Sequence, residues 1–414
     1  MPDVLVDGSG ELACTGMAVA IEGDRIADVG KVDEVLSRSS NGIAVISGGG
    51  CSLIPGLVDA HVHLGWGLLS QKGWSETAQD REGRFAWALA GAQAALRVGV
   101  TTQRDCGSPD VGVLRLRDAV NAGIVTGPLI VASGPCLTTT NGHGDFIGLI
   151  ADSASELRNR VDELHDAGVD FIKVMASGGD MDPQTNRRKP QYSSADLKAL
   201  VHRAHDLSLT VVAHCNPTAS IRQAVEAGVD TIAHCNWLGE AEGTIDYDSE
   251  LADRLLAEDT FIDLNIDATI RPYVNGDGSS QLWTEHFHPN NRWETHATLR
   301  SLGARIIFTS DEFGYATAKF PSLLERVVRE LGVGIEEVIH RSTSLPAQAV
   351  GLGDEVGTIR IGQRANLVLL EGDLAKDPTT LQRVRAVWVD GRVAMSLGRL
   401  ASPPITTNLE ALDE

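Results

Sequence analysis

Two histidines sit one residue apart in Asp59-Ala60-His61-Val62-His63. On a β-strand side chains alternate faces, so His61 and His63 share one face and Val62 takes the other. Two imidazoles converging at a strand end make half of a metal site. Taken alone, the same spacing also serves a hydrogen-bonded pair of core histidines. Four further residues bear on the choice. Lys173 lies within Phe171-Ile172-Lys173-Val174-Met175, where a lone ammonium is costly to bury unless paired or modified. His214 closes Thr210-Val211-Val212-Ala213, and His234 closes Thr231-Ile232-Ala233. Asp311 follows Ile306-Ile307-Phe308-Thr309-Ser310. Each is an ionisable side chain in, or at the end of, an apolar strand-like run. Separate structural explanations for each would have to coincide, and one metal site accounts for them all.

Such a site needs a scaffold whose strand ends meet. Eight apolar runs read as strands: 57–63, 100–105, 129–133, 170–176, 209–214, 231–234, 261–266 and 305–310. Amphipathic helical patterns lie between them, as at 193–207, 217–228 and 296–304. This alternation predicts an α/β chain folded as a (β/α)8 TIM barrel, where all strand C-terminal ends share one mouth. The β-rich ends, 1–55 and 355–404, predict a small composite β-sandwich module. It would flank a barrel over 56–354, with 405–414 as a tail. The polar connection 267–291, with Trp283, His286 and His288, follows the seventh strand. It reads equally as a substrate lid and as a solvated loop.

A chain of 414 residues, 43% hydrophobic, suits a large barrel plus a smaller module. The net charge of −21 opposes binding to nucleic acid or anionic membranes. The start has no basic segment followed by an apolar one, and no apolar run reaches membrane-span length. The expectation is a cytoplasmic protein with a small-molecule substrate. Cys14, Cys51, Cys106, Cys136, Cys215 and Cys235 are scattered without a paired motif and read as free, mostly buried thiols. Cys215 and Cys235 directly follow His214 and His234, and strand alternation would turn both away from the site.

The order of these residues resembles the binuclear amidohydrolase superfamily: His-x-His on strand one, lysine on strand four, histidines on strands five and six, and aspartate on strand eight. Ile54-Pro55-Gly56-Leu57-Val58-Asp59 and Gly362-Gln363-Arg364-Ala365-Asn366-Leu367 look like the same family. The stretches 101–105, 141–145 and 173–179 resemble its imidazolonepropionase-related and Xaa-Pro dipeptidase (prolidase) branch. The likeness covers nearly the whole chain. It implies two divalent metal ions, zinc first with manganese or cobalt as options, and a Lys173 carboxylated by CO2 to a bridging carbamate. It implies that His61, His63 and Asp311 hold the more buried ion, and His214 and His234 the more exposed one. A metal-bridging hydroxide would cleave an amide-like C–N bond of a dipeptide, N-acyl amino acid or related amide, with Asp311 passing the proton to the leaving nitrogen. His143, in Gly142-His143-Gly144, would touch the substrate or the oxyanion, with a plain loop histidine as the alternative. Barrels of this kind often associate, so a homo-oligomer is expected.

The chain also departs from relatives. Deaminases on this barrel carry His-x-x-Glu after strand five, whereas here Cys215-Asn216-Pro217 follows His214. Imidazolonepropionase uses one metal and lacks the lysine, so Lys173 points away from it, and a mononuclear hydrolase of that kind is kept as an alternative. The dipeptidases place a tyrosine soon after the strand-six histidine, but here Cys235-Asn236-Trp237-Leu238-Gly239 follows, with Tyr247 further on. Aryl ureas and carbamates therefore stay open as substrates. A non-catalytic binding relative would have lost ligands, and all six positions are present. Among lesser candidates, Asp105 reads as a carboxylate orienting a loop. Arg187 and Arg188 read as a solvated loop able to grip a substrate carboxylate. Trp237 reads as a pocket wall, Tyr192 as packing, and Gly178-Gly179 as a tight turn.

Overall fold

The computed structural model describes residues 1–39, 44–66, 80–180, 184–266 and 293–401, and the main-chain path of 272–274, 280–282 and 289–292. The connection around Trp283, His286 and His288 and the 405–414 tail lie outside the described residues.

The centre is a TIM-barrel-like α/β fold of eight strands. They are β1 (Leu57–His63), β2 (Val100–Asp105), β3 (Leu129–Ala132) and β4 (Phe171–Met175). They continue as β5 (Thr210–Pro217), β6 (Thr231–Leu238), β7 (Phe261–Asn265) and β8 (Ile306–Thr309). Neighbours pair in parallel from β1 to β3 and from β4 to β8. The ladder is not one closed ring. It forms two sheets with seams at β3/β4 and β8/β1. Single backbone bonds bridge the seams, from Asp170 N to Ala132 O and from Asp311 N to His61 O, both 2.9 Å. At the second seam the backbone turns left-handed at Asp311 (φ 57°), and a short strand, Glu312–Phe313, resumes pairing beside Val62 and His63.

Helices cover the outside because their apolar stripes have nowhere else to go. The helix Ser194–Asp206 is typical. Ser193 and Asp196 form a reciprocal capping box, and Leu197, Leu200, Val201 and Ala204 bury one face. Helix Thr218–Ala227 stops at Gly228, whose φ of 81° is the left-handed cap that glycine adopts without strain. Among the described residues no helix is long and apolar enough to cross a membrane.

The two chain ends meet in a seven-stranded sheet that includes Pro2–Leu5, Gly48–Pro55, Leu367–Glu371 and Val384–Val389. A two-stranded ribbon, Met17–Glu22 with Arg25–Lys31, shares a core with it through Ile26, Leu53, Leu367, Leu369 and Trp388. Strand Gly48–Pro55 runs straight into β1 through Gly56. A Cβ at Gly56 would lie 2.0 Å from Thr101 Oγ1, so only glycine lets the chain pass β2 this closely. The terminal sheet thereby fixes where β1 begins, and hence where His61 and His63 end up.

Candidate metal centre

His61 and His63 project from the end of β1 and are almost fully buried. Each ring is fixed by an acceptor at Nδ1. His61 Nδ1 donates to Asp263 Oδ2 at 2.6 Å, and His63 Nδ1 donates to Gly107 O at 2.9 Å. A carbonyl and a carboxylate only accept, so both rings carry their proton on Nδ1 and present a bare Nε2. Both Nε2 atoms lie 3.3 Å from Asp311 Oδ1. The ligating atoms of His61, His63 and Asp311 all fall within 4.8 Å of one another. Imidazole nitrogens held by a second acceptor, facing a carboxylate oxygen, are the donor set divalent transition metals take.

Burial pushes the Asp311 carboxyl up, but His61, His63 and Lys173 outweigh it and hold it at about 2. Burial, then the Lys173 charge, pushes His61 well below the usual histidine value. At neutral pH the Asp311 carboxylate is therefore an anion and the His61 imidazole neutral, which is the ligand form of each. Lys173 is 1% exposed, and its Nζ lies 3.3 Å from His61 Nε2. Among the described residues no carboxylate forms an ion pair with it. An ammonium buried without a direct ion pair is costly, whereas an anionic derivative facing cations would not be.

His214 ends the apolar part of β5, and His234 that of β6. Their rings are 4.3 Å apart, and His234 Nδ1 is 4.0 Å from Asp311 Oδ2. His214 is pushed well below the usual value by burial, then by His234, His143 and Lys173. Its Nε2 contacts Gly178 O at 3.2 Å and Asn216 Nδ2 at 2.8 Å. The end of β6 is not a regular strand. His234, Cys235 and Trp237 have φ of 68°, 47° and 53°. Non-glycine residues there cost of order 1–3 kcal/mol each and cluster at functional sites. The His234 carbonyl lies 3.2 Å from His296 Nε2, a buried ring on the helix that follows β7.

His143 is 3% exposed, with its ring 4.7 Å from His214. Its backbone is held on both sides: Gln191 Oε1 accepts from His143 N, and Thr138 Oγ1 donates to His143 O. Gly179 makes the room. A Cβ there would lie 2.3 Å from His143 Nε2. The glycine pair was read as a tight turn; in the structure both members are crowded by close neighbours. Gly178 is kept small by Asn186 O, 2.4 Å from its Cβ position.

The other singled-out residues resolve on contacts. Asp105 accepts from Leu64 N (2.6 Å), Ser108 Oγ (2.8 Å) and Gly107 N (3.3 Å), which ties the loops after β1 and β2. Arg187 pairs with Asp180, and Arg188 donates to Gly239 O and Thr244 O, so both brace loops. Trp237 does not line the mouth. It is fully buried against Tyr247 in the barrel–helix core. Cys215 and Cys235 belong to that same core. Tyr192 is buried in it too.

Sequence reading missed the supporting acids and amides. Asp263 sits in Phe261-Ile262-Asp263-Leu264-Asn265, an acid inside an apolar strand. The rule that singled out Lys173 would have found it. Asp59, beside the two histidines in sequence, accepts from Ser310 N (3.0 Å) and Ser310 Oγ (2.6 Å) and so holds the turn into Asp311. Asn216 and Gln191 carried no signal, since nothing local says which loop they reach.

Known proteins resemble this chain over most of its length. Ochratoxinase of Aspergillus niger is 26% identical over 432 residues, covering 94% of this chain and 85% of that protein. Imidazolonepropionase of Anaeromyxobacter sp. (strain K) is 28% identical over 269 residues, covering 55% and 59%. A Xaa-Pro dipeptidase crystal structure with methionine bound in its active site shares the fold, with a TM-score of 0.80 at 24% identity over 95% of this chain and 98% of that one. Residues 52–394 match the amidohydrolase family, which takes in all eight strands and every residue of the cluster around Asp311; the chain belongs to that family and is a hydrolase acting on carbon–nitrogen bonds.

Proposed function

We propose that this protein hydrolyses an amide-like C–N bond, as in a dipeptide or N-acyl amino acid, at a two-metal centre around Asp311. The observation that carries the reading is the pair of bare Nε2 atoms, on His61 and His63, converging on one Asp311 oxygen. His61, His63 and Asp311 would hold one ion, His214 and His234 the second, with Lys173 as a carbamate between them. The bare Nε2 atoms and a buried lysine without an ion-paired carboxylate support that set, and zinc suits its nitrogen and oxygen donors. When bound, the metals supply acidity to water near neutral pH and polarise the scissile carbonyl. Asp311, whose carboxylate stays ionised and 25% exposed, takes the proton from water and delivers it to the leaving nitrogen. His143, beside His214, donates to the carbonyl oxygen as negative charge builds there.

The test is a hydrolysis panel of Xaa-Pro and other dipeptides, N-acyl amino acids and aryl amides, run on zinc-loaded protein with bicarbonate. Asp311→Asn is expected to abolish turnover while retaining much of the bound metal. Substantial residual turnover in that variant would remove Asp311 from the proton path. A wild-type chain that takes up no metal would end the two-metal reading.

A further inference from the structure

Arg104 is a buried charge that the proposed reaction leaves unused. It lies on β2 and is 1% exposed, so its guanidinium is enclosed by the protein. Among the described residues no carboxylate forms an ion pair with it. Three other groups receive it. Nε donates to Ala60 O at 2.7 Å, Nη1 donates to Ala349 O at 3.2 Å, and Cζ lies 5.5 Å from the centroid of the Phe171 ring. Ala349 closes the helix Ser344–Ala349, and the last carbonyls of a helix have no partner within it. Phe171 packs with Cys106, Val212 and Ala233, an apolar setting. A side chain that only filled this space would be apolar, because a buried charge is the costlier filling.

The bond to Ala60 falls where β1 is irregular. Asp59 pairs with Gln103 and Val62 with Asp105, so β1 takes three steps while β2 takes two. An extra residue of this kind bends a strand and re-aims its side chains. Ala60 and His61 are the residues inside the irregularity, and His61 directly follows the carbonyl that Arg104 grips. We propose that Arg104 is a positioning residue for the metal centre: its Nε–H holds the Ala60 carbonyl across the irregularity and so fixes the peptide from which His61 reaches Asp311. The inference rests on the two-metal reading for what His61 is placed to hold, but not for the bond that places it.

The test compares Arg104→Gln with Arg104→Met. Both are uncharged, and both stop short of Ala349. Glutamine carries an N–H donor where arginine carries Nε, whereas methionine carries a methyl group there, so the pair differs at the bond to Ala60. In the metal-free proteins, hydrogen exchange over β1 is expected to be at least about fivefold faster in Arg104→Met, with the terminal-sheet strand Leu367–Glu371 alike in the two. Zinc affinity, by competition against a chelator, is expected to be at least about tenfold weaker in Arg104→Met than in Arg104→Gln. Equal exchange, equal zinc affinity, or a loosening shared with Leu367–Glu371 would overturn the inference. Should Arg104→Met not fold, Arg104→Gln is compared with wild type; it is expected to bind zinc within about threefold, and a larger loss would overturn the inference. Should the wild type take up no zinc while the exchange difference persists, the hold on β1 stands and the two-metal reading falls.

Discussion

Asp263→Asn isolates what a buried carboxylate contributes to the centre without touching a ligand. The carboxylate accepts from His61 Nδ1 at 2.6 Å and from Thr309 Oγ1. The amide keeps the shape. Its oxygen can still face the imidazole, and the Thr309 hydroxyl can accept from the new NH2 while donating to Leu264 O, already 3.3 Å away. What is lost is the negative charge that fixes the tautomer and raises the basicity of Nε2. Second partners of this kind are worth about 10- to 100-fold in metal affinity, or roughly 1.4–2.7 kcal/mol. The assay is zinc competition against a chelator, at pH 8 so that Asp263, raised by burial to about 6, is fully ionised in the wild type. Thermal unfolding of both metal-free proteins serves as the control for folding. An affinity within twofold of wild type, with folding intact, would refute the claim that Asp263 acts on the metal through His61.

Two further outcomes follow from the same geometry. In the metal-free protein, His214 stays neutral when folded but takes a proton when unfolded below pH of about 6.5. Its folded pKa is depressed, so its contribution is full above 6.5 and is lost as pH falls, by up to about 1.4 kcal/mol per pH unit. The Asp59 carboxyl, raised by burial to about 8, works in the opposite sense, so the wild-type profile alone does not isolate the histidine. Chemical denaturation of His214→Gln between pH 7 and 5 is expected to show stability rising less with pH than in the wild type, a slope less positive by up to that amount, and a parallel profile would refute it. Gly179→Ala places a Cβ where His143 Nε2 lies 2.3 Å away and must displace the ring. A kcat/KM lower by up to about a hundredfold at unchanged metal content is expected, and unchanged kinetics would remove His143 from the site.

What the sequence made legible was what repeats locally. Strand alternation put His61 and His63 on one face, and apolar runs marked the eight strands. An ammonium inside Phe171-Ile172-Lys173-Val174-Met175 stood out against its own neighbours. What could not be read was anything set by a partner far along the chain. Arg188 looks like a free loop cation until Gly239 and Thr244, some fifty residues on, claim it. Trp237 was expected to line the pocket because it follows His234 so closely in sequence. Three left-handed residues re-aim the chain there, and Trp237 ends in the core. Asp263 differs, since its signal was local and was passed over.

Two of the places where regular structure fails are places where candidate ligands are aimed. His234 and Asp311 both leave the β region, at φ of 68° and 57°, and the ladder opens at the β8/β1 seam beside Asp311. A straight β8 would carry its next side chain along strand alternation. The left-handed turn instead brings the Asp311 carboxylate back over the imidazoles of β1, and leaves Glu312–Phe313 to resume pairing one step later. Such conformations cost of order 1–3 kcal/mol each. They persist because neighbours over-determine them: Asp311 N bonds to His61 O, Asp59 grips Ser310 twice, and the buried His296 ring meets the His234 carbonyl. The opening at the β8/β1 seam and the converging donor set are therefore one feature: the left-handed turn that interrupts pairing is the turn that brings the Asp311 carboxylate to the two Nε2 atoms.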